Sequence, residues 1–297
     1  MIVLMPLKMW DKAKLYWSKT NRWHRVFLIF LIVELRLVPG GQVGFWCNDP
    51  ALSHPFTGDT VNRKWLLVTT IFLPLVVMLM AERKYHKNEK SKLKTKYRAL
   101  SWYKEYLFGL LLNITVVQTL KLMVGSPRPH FFDTCQPEEA SSCQGSEYVQ
   151  SYTCTKAVWQ HQSDKSFPSG HTSLALHAGI FITYYMRRRA GETRVIWSLQ
   201  GLTLLSALYC SLSRMSDHRH HWWDVLAGAT LALPILLYTI LFLCKNFECP
   251  ETNCEIESDT DQSTATSGTD KSHTSVHARA TTSETDKSYG NGTEVQT

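Results

Sequence analysis

Residues 213–243 read SRMSDHRHHWWDVLAGATLALPILLYTILFL. The front of this stretch is polar and carries Arg214, His220 and Asp224, whereas Val225 to Leu243 holds no charged residue. About 20 apolar residues are what a helix needs to cross hydrocarbon. The stretch therefore predicts a membrane helix over roughly 224–243 with a polar cluster at its mouth. His220 and Asp224 lie four apart, so on a helical start they share one face and the carboxylate can accept from an imidazole N–H. That bond would fix the tautomer and leave the other ring nitrogen free to attack phosphorus. Arg214 can grip two oxygens of a phosphate at once.

Working outward, further apolar segments fall at roughly 24–39, 65–81, 103–124, 172–187 and 194–212. The chain thus predicts an all-α polytopic membrane protein with six transmembrane helices. The fourth segment is the weakest by hydropathy; it is short and carries His177. Averages mislead here, because 44% hydrophobic residues and a net charge of +7 would suit a basic soluble protein. Apolar residues are packed into spans, and charges into the links between them.

Lys and Arg in short links mark the cytoplasmic side. The basic segments are the N-terminal arm (Lys8 to Arg25), the link from Arg83 to Arg98, and Arg187-Arg188-Arg189 to Arg194. They alternate as a six-span protein with both termini in the cytoplasm requires, so they read as topology signals and not as a nucleic-acid surface. Loops 40–64, 125–171 and 213–223 then lie outside or in a lumen. The first span reads as a retained signal anchor, since Val38-Pro39-Gly40-Gly41 offers no small-x-small cleavage pattern. Glu34 and Arg36 near its outer end read as side chains snorkelling to the interface. The expected units are a basic arm over 1–23, a membrane domain over 24–243 and a disordered cytoplasmic tail over 244–297. The tail is Ser/Thr/Asp-rich beyond Pro250 and cannot bury a core.

Cys47, Cys135, Cys143 and Cys154 all fall in outer loops, where disulfides form, and four thiols allow three pairings. None shows the C-x-x-C spacing of a zinc site. Cys244, Cys249 and Cys254 sit on the inner side, as palmitoylation sites or free thiols.

Two more polar runs adjoin spans. Lys121 lies about two turns before Arg128, so its long side chain can reach the same interface. Pro127 and Pro129 end that helix and hold Arg128 extended. In Pro168-Ser169-Gly170-His171, Ser169 suits an N-cap with nearby N–H groups aimed at an anion. Gly170 permits close backbone approach, and His171 stands where it can protonate a departing alkoxide. Together the three runs supply a nucleophile, a proton donor and phosphate-binding cations at one membrane face. Asp217, His218, Arg219 and His221 read as loop or supporting residues.

In these motifs and in the six-span pattern, with Gly44-Phe45-Trp46-Cys47-Asn48-Asp49 and Pro55-Phe56 in the first outer loop, the chain resembles the type 2 phosphatidate phosphatase superfamily. Within it, the likeness is to the integral-membrane lipid phosphate phosphatases. The resemblance implies that His220 is a nucleophile forming a phosphohistidine, oriented by Asp224. His171 would be the acid and then the base, and Lys121, Arg128, Ser169, Gly170 and Arg214 would bind phosphate at the outer ends of helices 3–6. It implies no metal and no cofactor. Substrates would be phosphatidate, lysophosphatidate, sphingosine 1-phosphate or ceramide 1-phosphate, cleaved outside the cell, at the plasma membrane, or in a lumen. A homo-oligomer is left open. The competing expectations are a silent lipid-phosphate-binding or scaffold protein, and a polyprenyl-diphosphate phosphatase or lipid phosphotransferase on the same scaffold.

Overall fold

The computed structural model describes residues 21–85, 89–156 and 162–248. Six long helices form the body: α1 (Arg22–Glu34), α2 (Arg63–Tyr85), α3 (Glu89–Val124), α4 (Gly170–Arg189), α5 (Arg194–Ser216) and α6 (Trp222–Tyr238). A π-helical turn, Thr239–Leu243, prolongs α6 a few residues after Pro234. Among the described residues four segments are long and apolar enough to cross a membrane: Arg63–Arg83, Lys96–Val124, Arg194–Ser216 and Trp222–Leu243.

The other two helices fall outside that set for different reasons. α1 has 13 residues, which rise only about 20 Å against ~30 Å of hydrocarbon. Its chain leaves the helix at Arg36, where φ is 55°, and runs along the end of α3, with Gly41 N–H donating to Leu122 O at 2.8 Å. The Glu34 carboxylate accepts from Gln118 of α3 at 2.8 Å, so it has a protein partner. α4 is too polar to qualify because protein and not lipid surrounds it. It packs against α2, α3, α5 and α6, and its buried residues include Thr172, Ser173, His177, Phe181 and Tyr185. The basic link after α2 is not an open loop: helix α3 already begins at Glu89.

The core gathers Trp102, Tyr106, Phe181, Tyr185 and Phe247 around α4. At its lower end Glu82 accepts from Arg189 at 2.8 and 3.0 Å and from the Tyr185 hydroxyl at 2.7 Å. A buried carboxylate so surrounded is compensated by hydrogen-bonded charge. Leucines 202, 205, 208 and 212 of α5 and 226, 233 and 237 of α6 stay exposed, a surface suited to lipid and not to water.

At the opposite end, the loops after α1 and α3 form a cap. β1 (Phe45–Trp46) pairs antiparallel with β2 (Tyr148–Val149). Disulfides Cys47–Cys143 and Cys135–Cys154 close the cap around Phe45, Leu52, Phe131 and Tyr152. One of the three open pairings is thereby selected. The cap rests on α3 through a contact that only glycine allows: a Cβ on Gly125, whose φ is +61°, would come 1.9 Å from Gly41 O.

The described fold continues to Glu248, with Cys244 and Phe247 fully buried. Cys244 donates to Trp102 O at 3.7 Å, so of its two readings, palmitoylation site or free thiol, the structure fits a buried free thiol. Most of the expected basic arm and tail, with Cys249 and Cys254, lies outside the described residues.

Candidate active site

The three runs meet at one end of the bundle. Lys121 occupies the last turn of α3 and Arg214 the last turn of α5, while Ser169 caps α4 and His220 and Asp224 flank the start of α6. Helix ends present unpaired N–H and C=O groups, and here those groups and the polar side chains bind one another across the motifs. Lys121 Nζ donates to Lys165 O at 2.8 Å, and Arg128 Nη2 donates to the same oxygen at 3.1 Å. The next residue, Ser166, donates its hydroxyl to Asp224 Oδ2 at 2.5 Å. Ser169 N–H donates to Asp224 O, and His220 N–H donates to Arg214 O at 3.2 Å. Every expected site residue is thus within this assembly or borders it.

Asp224 is fully buried and does several jobs. Its Oδ2 also accepts from His221 N–H at 2.9 Å, which caps α6. His220 Nδ1 stands 3.7 Å from Oδ2, longer than a hydrogen bond. Nδ1 of His220 and Oδ1 of Asp224 are both buried without a hydrogen-bond partner, as is Nδ1 of His221, which lies 3.4 Å from Oδ2. The helix begins at Trp222, leaving His220 two residues ahead of it. The carboxylate therefore meets the ring across the cap and not along a helical face.

Ser169 Oγ accepts from the Thr172 N–H at 3.5 Å, as an N-cap serine does, and from Thr172 Oγ1 at 3.0 Å. Its carbonyl is approached so closely by α6 that a Cβ on Gly228 would lie 2.4 Å away. Gly170 differs: a Cβ there would meet only Val117 Cγ1 at 3.5 Å and Lys121 Cε at 3.9 Å. Glycine at 170 is not demanded by the protein's own packing, whereas glycine at 228 is.

Burial and mutual repulsion set the electrostatics. Burial, joined by Arg219, lowers Arg128 to about 9. Burial, joined by Arg214, lowers His171 to about 3; its Nε2 lies 3.2 Å from Val61 O. His220 is held well below the usual imidazole range by burial first, against the opposing pull of Asp224. His220 is thus neutral, the form in which a ring nitrogen can act as a nucleophile. His130 falls to about 3 from burial and the adjacent guanidinium of Arg128.

Ser166 and Asp59 escaped the sequence reading. Arg214 is fully buried; its Nη2 pairs with Asp217 at 2.6 Å and its Nη1 with Asp59 at 2.9 Å. Arg219 pairs with Asp59 at 3.1 Å and lies over the Phe56 ring. Ser166 and Asp59 carry no spacing signal of their own, whereas Arg219 takes the supporting position expected of it. Asp217 supports Arg214, in the role expected of it. Among the described residues no group of three or more His, Cys, Asp or Glu is placed to hold a metal ion.

Residues 102–248 match the PAP2 superfamily, and the chain belongs to it. Within it the similarity is to phospholipid phosphatases. The chain is 27% identical to "Phospholipid phosphatase 1" of Rattus norvegicus, over 84% of this chain and 88% of that one. It is 27% identical to "Phospholipid phosphatase 2" of Bos taurus, over 80% and 90%. A Drosophila melanogaster protein, a candidate phosphatidate phosphatase by its name, is 32% identical over 70% of this chain, and the chain spans 63% of that protein's length. No solved structure matches the chain.

Proposed function

We propose that this protein is an integral-membrane lipid phosphate phosphatase that works through a phosphohistidine without a metal. The observation that carries the reading is the convergence of Lys121, Arg128, Arg214, His220 and Asp224 at one end of the helices, around a neutral buried imidazole. The names of the relatives support the same reaction class.

In this mechanism the phosphate dianion lies among Lys121, Arg128 and Arg214, with the N–H groups at the start of α4 beside it. Fixed positive donors stabilise the charge that spreads over the equatorial oxygens as the leaving oxygen departs. A ring nitrogen of His220 forms the new bond to phosphorus, the bond to the lipid alkoxide breaks, and His171 gives that oxygen its proton. The positive charge arriving on the His220 ring is met by Asp224. Neutral His171 then takes a proton from water, whose oxygen attacks phosphorus and releases His220 and inorganic phosphate. His171 needs a proton for the first step; burial first and Arg214 second hold the ring neutral, and a dianion lying beside Arg214 favours its protonation.

Six helices embedded with both termini in the cytoplasm would put this end of the bundle outside the cell or in a lumen, with the plasma membrane the favoured location. Phosphatidate, lysophosphatidate, sphingosine 1-phosphate and ceramide 1-phosphate present their head groups at that depth. His220→Ala should abolish phosphate release from micellar phosphatidate measured with EDTA present, while the protein still accumulates. An active His220→Ala enzyme, or wild-type activity that EDTA removes, overturns the mechanism.

A further inference from the structure

We infer that Asp59 is an internal anion seated where substrate phosphate must bind, so that substrate takes Arg214 by displacing a carboxylate and not by entering an empty site. The inference rests on the phosphatase reading above. One oxygen of Asp59 bridges two cations, Arg214 Nη1 at 2.9 Å and Arg219 Nε at 3.1 Å. A carboxylate and a phosphate present the same geometry to a guanidinium, and both carry the charge these two arginines select.

The surroundings distinguish a displaceable anion from a permanent brace. The Arg214 side chain is 1% exposed, whereas that of Asp59 is 28% exposed, so Asp59 can leave toward water while Arg214 cannot follow. Arg214 keeps Asp217 as a second partner at 2.6 Å when Asp59 goes, so its own buried charge is not stranded. The loop is built to let the carboxylate move. Phe56 N–H is tied to Asp133 at 2.8 Å, and Thr60 is tied to Asp217 through both its N–H at 2.8 Å and its hydroxyl at 2.5 Å. Between these anchors Gly58 holds a φ of +96° with nothing within 4 Å of its Cβ position. Asp59 can therefore swing without unfastening the loop from the site.

An internal competitor scales apparent affinity down to the fraction of protein in which it is unseated. A carboxylate bound about nine-tenths of the time weakens phosphate binding about tenfold, and reverts to the arginines as product leaves. Asp59→Asn keeps the shape and removes the charge. In detergent-solubilised full-length protein it should bind orthovanadate about tenfold more tightly than wild type, with a lower KM for micellar lysophosphatidate. Equal or weaker orthovanadate binding by an Asp59→Asn protein that folds overturns the inference; weaker binding is what a carboxylate that positions Arg214 for substrate would give. If that variant does not fold, wild-type protein decides. Carbodiimide-driven amidation of Asp59, read by mass spectrometry, should rise when orthovanadate binds, and an unchanged or slower rate overturns the inference. Wild-type protein that neither binds orthovanadate nor releases lipid phosphate sinks this inference and the phosphatase reading together. Active wild type with an unimproved variant sinks this one alone.

Discussion

Asp224→Asn separates the charge of this carboxylate from its shape. The asparagine oxygen can still accept from Ser166 and from the His221 N–H, so the cap of α6 should survive. What disappears is a negative charge 3.7 Å from the His220 ring nitrogen, felt most when that ring is bonded to phosphorus and cationic. At an effective dielectric of about 20, a unit pair at that distance is worth about 4.5 kcal/mol. A loss of that size in the transition state corresponds to a fall in kcat/KM on the order of 10³-fold. Asp224→Ala should lose the same rate and also stability, because the Ser166 hydroxyl and His221 N–H become buried orphans at about 1–3 kcal/mol each. The assay is phosphate release from phosphatidate in mixed micelles, paired with the thermal unfolding midpoint of each variant in the same detergent. An Asp224→Asn enzyme within threefold of wild type would refute the electrostatic reasoning, and so would a rate loss explained by unfolding alone.

Two further expectations come from packing and from titration. Gly228→Ala should push the Ser169 carbonyl, cost about 1–3 kcal/mol in unfolding midpoint measurements as other overpacked sites do, and reduce phosphate release more than an Ala substitution at Gly201, which has open space around it. His130 and His171 are neutral in the fold down to about 3, and His220 is likewise depressed, while the unfolded chain protonates these rings near 6.5. Between those values the unfolded state binds more protons, so stability should be flat above pH 6.5 and decline below it, by up to about 1.4 kcal/mol per ring per pH unit; unfolding midpoints at pH 7.5 and 5.5 that coincide would contradict this.

Local signals were legible and non-local ones were not. The change from polar to apolar at Asp224, the capping serine at 169 and the prolines around Arg128 each mark a helix end within a few residues, and the structure puts helix ends there. α4 was placed within two residues of its ends but was the weakest of the six by hydropathy, because hydropathy reports fit to lipid, whereas Ser173 and His177 are enclosed by neighbouring helices. α1 was read too long because Leu35, Leu37 and Val38 are apolar, yet all three are exposed beyond the helix end. Asp59 reaches Arg214 across 155 positions, and Ser166 reaches Asp224 across 58. No periodicity announces such pairs. The disulfide partners were open for the same reason.

The Cys47–Cys143 bond encloses α2 and α3 in a covalent ring. On the ribosome the first thiol emerges long before the second, and it has no partner until both intervening helices have been synthesised and have brought their far ends back alongside. Closure of this ring therefore registers that the hairpin of α2 and α3 has brought Cys47 and Cys143 together, while three helices, α4, α5 and α6, still follow in the chain.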